Sequence, residues 1–409
     1  MNRPMVMERL RPIDRTVIVR AALGYLVVAV IATVLVAVAN SMPGVRNVYG
    51  RGLGSIVDDL GVVGGWCRFD CGWYIGIARD GYSYVPGQQS NVAFFPVYPL
   101  LARGVNGVIN DVPLSLIIVS WISGFSAIVA FAAWCSGRLD RRIATWAVAS
   151  LLLYPYGFYL LGAGYGDGLF LALVVCTFLL LERNQLVLAS VFGALAGATR
   201  SIGIVVFISL VLVLIDRRGG MPARESGSGG LARIGIPAAI SLRVLRARDS
   251  VLLIALLGPI GWSLFLDDRF GDGFAYVTVQ EAWVQKQGPR TWLKVELFSQ
   301  TLHGAPPDYW VGRLIQAFLI LVLLSLLPLV AKKLGPGYAA YSAGVLLLAA
   351  LGTKDFQSMG RYALAAFPVF ALVGIELSSR RRLGVIVLIA GAVFLGAGAF
   401  GFGRGWYLS

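Results

Sequence analysis

Asp70 sits in the run Arg68-Phe69-Asp70-Cys71-Gly72-Trp73-Tyr74, a lone carboxylate among aromatic and small residues. A carboxylate in a partly desolvated pocket takes a proton from a hydroxyl, which makes Asp70 a candidate general base. Farther along come Ala78-Arg79-Asp80-Gly81-Tyr82, Asn91-Val92-Ala93-Phe94-Phe95-Pro96-Val97-Tyr98-Pro99 and Gly164-Tyr165-Gly166-Asp167-Gly168. Arg200, Gln280-Glu281-Ala282-Trp283 and the stretch from Lys354 to Arg361-Tyr362 complete the set. Arg200, Arg361 and Lys354 are candidates to hold an anionic group such as a phosphate, which arginine grips with two parallel hydrogen bonds. The substrate-binding candidates are Trp73, Tyr74, Tyr82, Asn91, Phe95, Tyr98, Asp167, Glu281 and Trp283. Aromatic rings with a polar tip suit the faces of sugars and isoprenoids. A phosphate-bearing lipid donor and a hydroxyl acceptor would use base, cations and aromatics together.

Each of these residues also has a plainer reading. Asp70 would cap a helix starting at Cys71, and Asp167 would do the same for the run behind it. Arg200 would snorkel to the membrane interface. Arg361 would neutralise only Asp355. The aromatic residues of the first loop would form an interfacial belt. His303 reads as a loop histidine.

The elements that must position these residues follow from composition. The chain has 409 residues, of which 57% are hydrophobic and 14% charged, with a mean hydropathy of +0.76. Soluble domains are about 45–50% apolar and about 25% charged, so an ordinary cytosolic enzyme and a disordered chain are both excluded. Apolar runs lie at 17–39, 112–136, 143–162, 166–181, 186–199, 202–215, 251–266, 312–331, 337–352, 361–377 and 383–402. A spanning helix needs about 20 residues, and several runs are shorter, so they are short, tilted or broken. Irregular backbone at membrane depth survives only around protein or a wet cavity, so a cavity is expected. The first run follows Arg3, Arg9, Arg11 and Arg15 and is too long for a signal-peptide core; it reads as the first membrane helix.

The net charge of +14 would hint at nucleic acid in a soluble protein. Here cytoplasmic loops explain it, and no nucleic-acid partner is expected. With the N-terminus in the cytoplasm, the basic segments Arg138 to Arg142, 216–250, Lys332-Lys333 and Arg380-Arg381-Arg382 fall on the cytoplasmic side. The 216–250 loop is Gly/Ser-rich and reads as a linker resting on anionic membrane lipids. The first outer loop, 40–111, the second, 267–311, and the turn at 354–362 face the other side with nearly balanced charge. The whole chain, 1–409, reads as one membrane-embedded unit. Cys135 and Cys176 are packing residues. A Cys67–Cys71 disulfide is open to the chain, and disfavoured if that stretch is helical. With one histidine and no second cysteine pair, no metal and no other cofactor is expected.

The run from Phe69 to Tyr74, followed by Ile77-Ala78-Arg79-Asp80-Gly81-Tyr82, resembles the W-D-x-x-x-(Y/F)…I-A-x-x-G-Y pattern of the GPI mannosyltransferase II (PIG-V) family and its bacterial relatives. Asn91 to Leu100 is similar to that family's A-F-F-P-x-Y-P-L segment. Weaker echoes follow in order at Tyr154-Pro155 to Asp167, Gly197 to Arg200, Gln280 to Trp283, and Gly360-Arg361-Tyr362 before Phe367-Pro368. The resemblance implies a GT-C fold: an all-α polytopic membrane bundle with a large first non-cytoplasmic loop and about 10–11 membrane segments, some short or broken. It implies inverting transfer of mannose from a polyprenyl-phosphate-linked donor to a lipid or glycan hydroxyl, with Asp70 at the position of the essential acid. It further implies a bacterial inner (plasma) membrane location with the active site on the non-cytoplasmic face. Phe69 stands where the family has Trp, and Asp167 where it often has Glu. No GPI anchor follows. The alternatives are a transporter or flippase of a lipid-linked or anionic solute, and a non-catalytic scaffold.

Overall fold

The computed structural model describes residues 11–45, 60–221, 239–304 and 307–408. Among them every regular element is helical. Helix α1, Arg15–Ser41, starts at Asp14, whose carboxylate accepts a hydrogen bond from the Thr16 N–H. Two amphipathic helices lie within the expected loop 40–111, α2 (Cys71–Asp80) and α3 (Val97–Ile109). Helix α2 stops at Gly81, whose φ of 91° suits glycine. Helix α4, Val112–Ser136, is capped by Asp111 and carries Pro113 in its first turn, where the missing N–H costs nothing. The run expected at 143–162 breaks: α5, Arg141–Leu152, ends ahead of Pro155, and the chain continues through a 3-10 turn, Gly157–Leu160. Helices α6 (Asp167–Glu182), α7 (Leu186–Gly197) and α8 (Ile204–Arg217) follow.

A 3-10 segment, Ala247–Leu256, runs into α9, Leu257–Phe270. The expected loop 267–311 holds three short helices, α10 (Ala275–Thr278), α11 (Pro289–Trp292) and α12 (Val295–Leu302). Then come α13 (Pro307–Ser325), α14 (Leu327–Leu334), α15 (Pro336–Gly352), α16 (Met359–Tyr362), α17 (Phe367–Ser379) and α18 (Arg381–Gly403).

Five stretches among the described residues are long and apolar enough to cross a membrane: α1, α4, Ala247–Phe270, Tyr309–Leu334 and α18. A sixth forms if the pair Met359–Ala365 and Phe367–Ser379, bent by 84°, counts as one broken span. The remaining expected runs are the short helices α5 to α8 and α15. Burial sorts the long ones: 67% of the apolar window of α4 is buried, against 17–28% for the other four. Helix α4 is therefore interior, and residues such as Leu264, Phe318 and Ile386 on the outer spans stay exposed. Lipid tails are as apolar as leucine, so such exposure carries no penalty there.

Small residues set the close approaches. A Cβ on Gly168 would lie 3.0 Å from the Gly124 nitrogen, so α4 and α6 cross almost backbone to backbone and hold the neighbouring Asp167 in place. Gly193 and Gly197 pack α7 against Ala255 and Pro259. One buried apolar cluster draws on helices from α1 to α18. A smaller one, including Val92, Phe95, Trp262, Leu266 and Ala275, fastens the segment after α2 to α9 and α10. The two ends of the basic loop are pinned by Arg218, which donates to Asp249 at 2.8 Å. The middle of that loop, together with Arg3 and Arg9, lies outside the described residues.

Candidate active site

Four charged side chains from four distant segments converge. Asp70 precedes α2 in the N-cap position, but its side chain makes no capping bond. It accepts instead from Arg361 Nη1 at 3.2 Å. Asp167, the first residue of α6, pairs with Arg200 from the turn between α7 and α8, and lies 3.8 Å from Arg361 Nε. Arg361 stands on α16 and is buried among rings, its guanidinium carbon 5.0 Å from the Tyr165 ring centroid and 5.2 Å from that of Tyr362. Arg200 lies 4.9 Å from the Tyr362 ring. Asp355 takes no part: it pairs with Arg313 at 3.1 Å and accepts from the Tyr309 hydroxyl.

The four differ in access. The Asp70 side chain is 28% exposed, against 6% for Asp167 and 7% for Arg361. Asp70 is thus the carboxylate open to an incoming group, and Asp167 the one that holds the arginines together. They line a cavity of roughly 210 Å³ with Tyr74, Phe94, Phe95, Tyr165, Trp283 and Tyr362. Uncharged polar groups complete the wall, notably Gln280, Gln285, Gln357, Ser201 and Ser358. Burial pushes the Tyr74 phenol well above its ordinary range, opposed by Arg200, so it stays a neutral hydroxyl.

The other sequence candidates stand elsewhere. Lys354 is half-buried outside the cavity wall. Glu281 is exposed and pairs with Lys286 at 3.1 Å. Trp73 stacks on Phe94 and meets Trp283 edge-on, behind the wall. Tyr98 lies beneath Tyr74 and donates to the Leu116 carbonyl. The Tyr82 hydroxyl donates to the Phe94 carbonyl. The Asn91 side chain accepts from the Ser83 N–H and donates to the Gly81 carbonyl. Tyr82 and Asn91 therefore shape the loop that presents Phe94 and Phe95. Tyr165 and Tyr362 stand inside the quoted motifs but were not among the candidates, and both line the cavity. Gln285, Gln357 and Tyr407 are single residues with no local signal. Among the described residues, no three His, Cys, Asp or Glu side chains come together to hold a metal ion.

Cys67 and Cys71 form a disulfide, with Cα atoms 5.3 Å apart. The expectation against pairing held only for a helical stretch. The 3-10 turn Gly61–Trp66 ends before Cys67 and α2 starts at Cys71, so both sulfurs are free to meet. Next to Thr353 of the cavity wall, Lys294 donates to the Ala350 and Thr353 carbonyls and Gln287 to Gly352 at 3.2 Å. These bonds satisfy the open carbonyl end of α15, just before the turn that carries Arg361. Burial lowers the Lys294 ammonium to about 8, with Asp355 pulling the other way.

No family model matches the sequence. The chain is 32% identical over 162 residues to GPI alpha-1,6-mannosyltransferase 2 of Rattus norvegicus, and 31% over 156 residues to that of Mus musculus. Each match takes in 36% of this chain, and the chain spans about a third of the length of these curated relatives, 32% and 31%. Among solved structures it resembles ArnT from Cupriavidus metallidurans bound to undecaprenyl phosphate, with a TM-score of 0.51 and 12% identity over 93% of this chain and 75% of that one. The likeness establishes the fold, an all-helical membrane bundle of the kind that ArnT has.

Proposed function

We propose that the chain is a polyprenyl-phosphate-sugar-dependent glycosyltransferase that moves mannose, with inversion, onto a hydroxyl of a lipid or glycan. The observation that carries this reading is the convergence of one open carboxylate, Asp70, with two guanidiniums on a single cavity. The named relatives are mannosyltransferases, and the ArnT structure holds a polyprenyl phosphate. Both support the choice of donor.

In this mechanism Asp70 takes the acceptor proton while the acceptor oxygen attacks the anomeric carbon. The bond from that carbon to the phosphate oxygen breaks on the opposite face. The donor begins as a singly charged phosphodiester and leaves as a phosphate carrying one more negative charge. Asp70 becomes neutral in the same step, so its hold on Arg361 weakens just as the phosphate needs that cation. Fixed charges aimed at developing charge supply most of the rate enhancement in many enzymes. The phosphate leaves ionised, so no general acid is required. The site faces the non-cytoplasmic side of a bacterial inner membrane. The basic cytoplasmic loops support this orientation, and so does the disulfide, since disulfides persist in oxidising compartments.

The test is transfer by purified protein from a radiolabelled polyprenyl-phosphate mannose to a lipid extract. Asp70→Asn is expected to fold, bind donor and lose transfer. Near wild-type turnover in that variant would remove Asp70 as the base. Donor movement across a vesicle without a new product would favour transport instead.

A further inference from the structure

Asp70 lies inside a five-residue ring closed by the Cys67–Cys71 disulfide. Both sulfur-bearing residues are fully buried. Phe69, directly before the carboxylate, has φ 53°, a left-handed conformation that a bulky residue adopts only when its surroundings impose it. Its ring is held 4.9 Å from that of Tyr407 and 6.0 Å from that of Phe402. Arg68, also buried, donates to Asn40 at the end of α1 and to the Gly403 carbonyl at the end of α18. The Asp70 N–H donates to the Tyr165 hydroxyl at 3.2 Å. A Cβ on Gly164 would sit 2.6 Å from Cys71 Sγ, so the disulfide is seated directly against the loop that leads to Asp167. Among the described residues the carboxylate accepts one hydrogen bond, from Arg361, and is otherwise aimed by its backbone.

We infer that the disulfide is a positioning element for Asp70, and that only the oxidised protein presents the carboxylate in line with the cavity. The inference rests on the function proposed above. Closure joins two thiols and passes two electrons and two protons to a thiol–disulfide exchange oxidant of the outer compartment. Reduction by a phosphine with one water returns both thiols and yields the phosphine oxide, the water supplying the oxygen and both protons. With the ring open, Phe69 can leave its left-handed conformation, and that rotation swings Asp70 away from Arg361.

Two readouts test this on the full chain. The first is carbodiimide coupling of Asp70 to an amine, followed by mass spectrometry, with exposed Asp80 as the internal reference. Coupling at Asp70 is expected to rise several-fold in Cys67→Ala/Cys71→Ala and in phosphine-reduced wild type, while Asp80 is unchanged. The second is turnover, expected to fall about 100-fold with donor KM unchanged, as a misplacement near 1 Å does. The reductant should leave the double variant unaffected. Equal Asp70 coupling in the oxidised and open-ring proteins overturns the inference. If wild type transfers no sugar, the proposed function fails, and the coupling ratio still decides this point. If the double variant does not fold, reduced wild type supplies both readouts.

Discussion

Replacing Asp167 by Asn keeps the side chain's shape and removes one charge from a cluster of two carboxylates and two guanidiniums. At 3.8 Å from Arg361, that charge is worth about 4 kcal/mol at an effective dielectric constant of about 20. The guanidiniums stay buried in the variant, so their desolvation cost is no longer offset. Removing one partner of a buried pair costs about 3–5 kcal/mol. The amide oxygen still accepts a hydrogen bond from Arg200, which brings the expected loss to about 2–3 kcal/mol in unfolding from mixed micelles. The kinetic signature is sharper. The cluster changes from neutral to a net charge of +1, so the donor phosphate should bind as tightly as before or more so. Arg361 now has Asp70 as its sole anionic partner and draws that carboxylate away from the acceptor. Turnover should therefore fall about 30- to 160-fold, the rate equivalent of about 2–3 kcal/mol, with donor KM unchanged or lower. The assay is steady-state transfer at varied donor concentration. A raised KM with unchanged turnover would make Asp167 a substrate contact, and stability within about 0.5 kcal/mol of wild type would refute the buried-network reasoning.

Two further outcomes follow from packing and burial. Gly360→Ala places a Cβ 2.2 Å from the Tyr156 ring, directly beside Arg361; overpacking of about 1–3 kcal/mol should displace α16 and cut transfer about 10-fold or more, read by the same assay. Lys294 releases its proton near pH 8 in the folded protein and near 10.5 in the unfolded chain. Across that window the unfolded chain binds more protons, so stability rises with pH, while below it the full cost of the buried ammonium is present. Lys294→Met should flatten that rise, seen by comparing thermal unfolding of both proteins at about pH 7 and about pH 9.5; an equal slope in the two proteins sinks this assignment.

Hydropathy and motif order were legible without coordinates: the apolar runs mark most of the helices and the first motif marks Asp70, because these are local effects of sequence on backbone. The cap expected of Asp70 is absent, since its carboxylate turns to Arg361 instead, and the break at Pro155 inside the run 143–162 emerges only in the structure. The membrane class and the helical architecture follow from the same local patterns. The pairing of charges was not legible. Arg361 and Asp70 are 291 residues apart, and the pattern around Arg361 points equally to its neighbour Asp355. Tertiary packing decided the matter by giving Asp355 to Arg313 and burying Arg361 among tyrosines. Likewise, nothing local separates Glu281 and Lys354, which stand off the cavity, from Gln280 and Gln357, which line it. A residue's direction depends on backbone turns such as those at Phe69 and Ser358, both left-handed, and on which helices close around them. Local sequence sets which groups are present in the loops around the cavity; only the packed bundle sets which of them meet, because a buried charge takes whichever partner the packing places within reach.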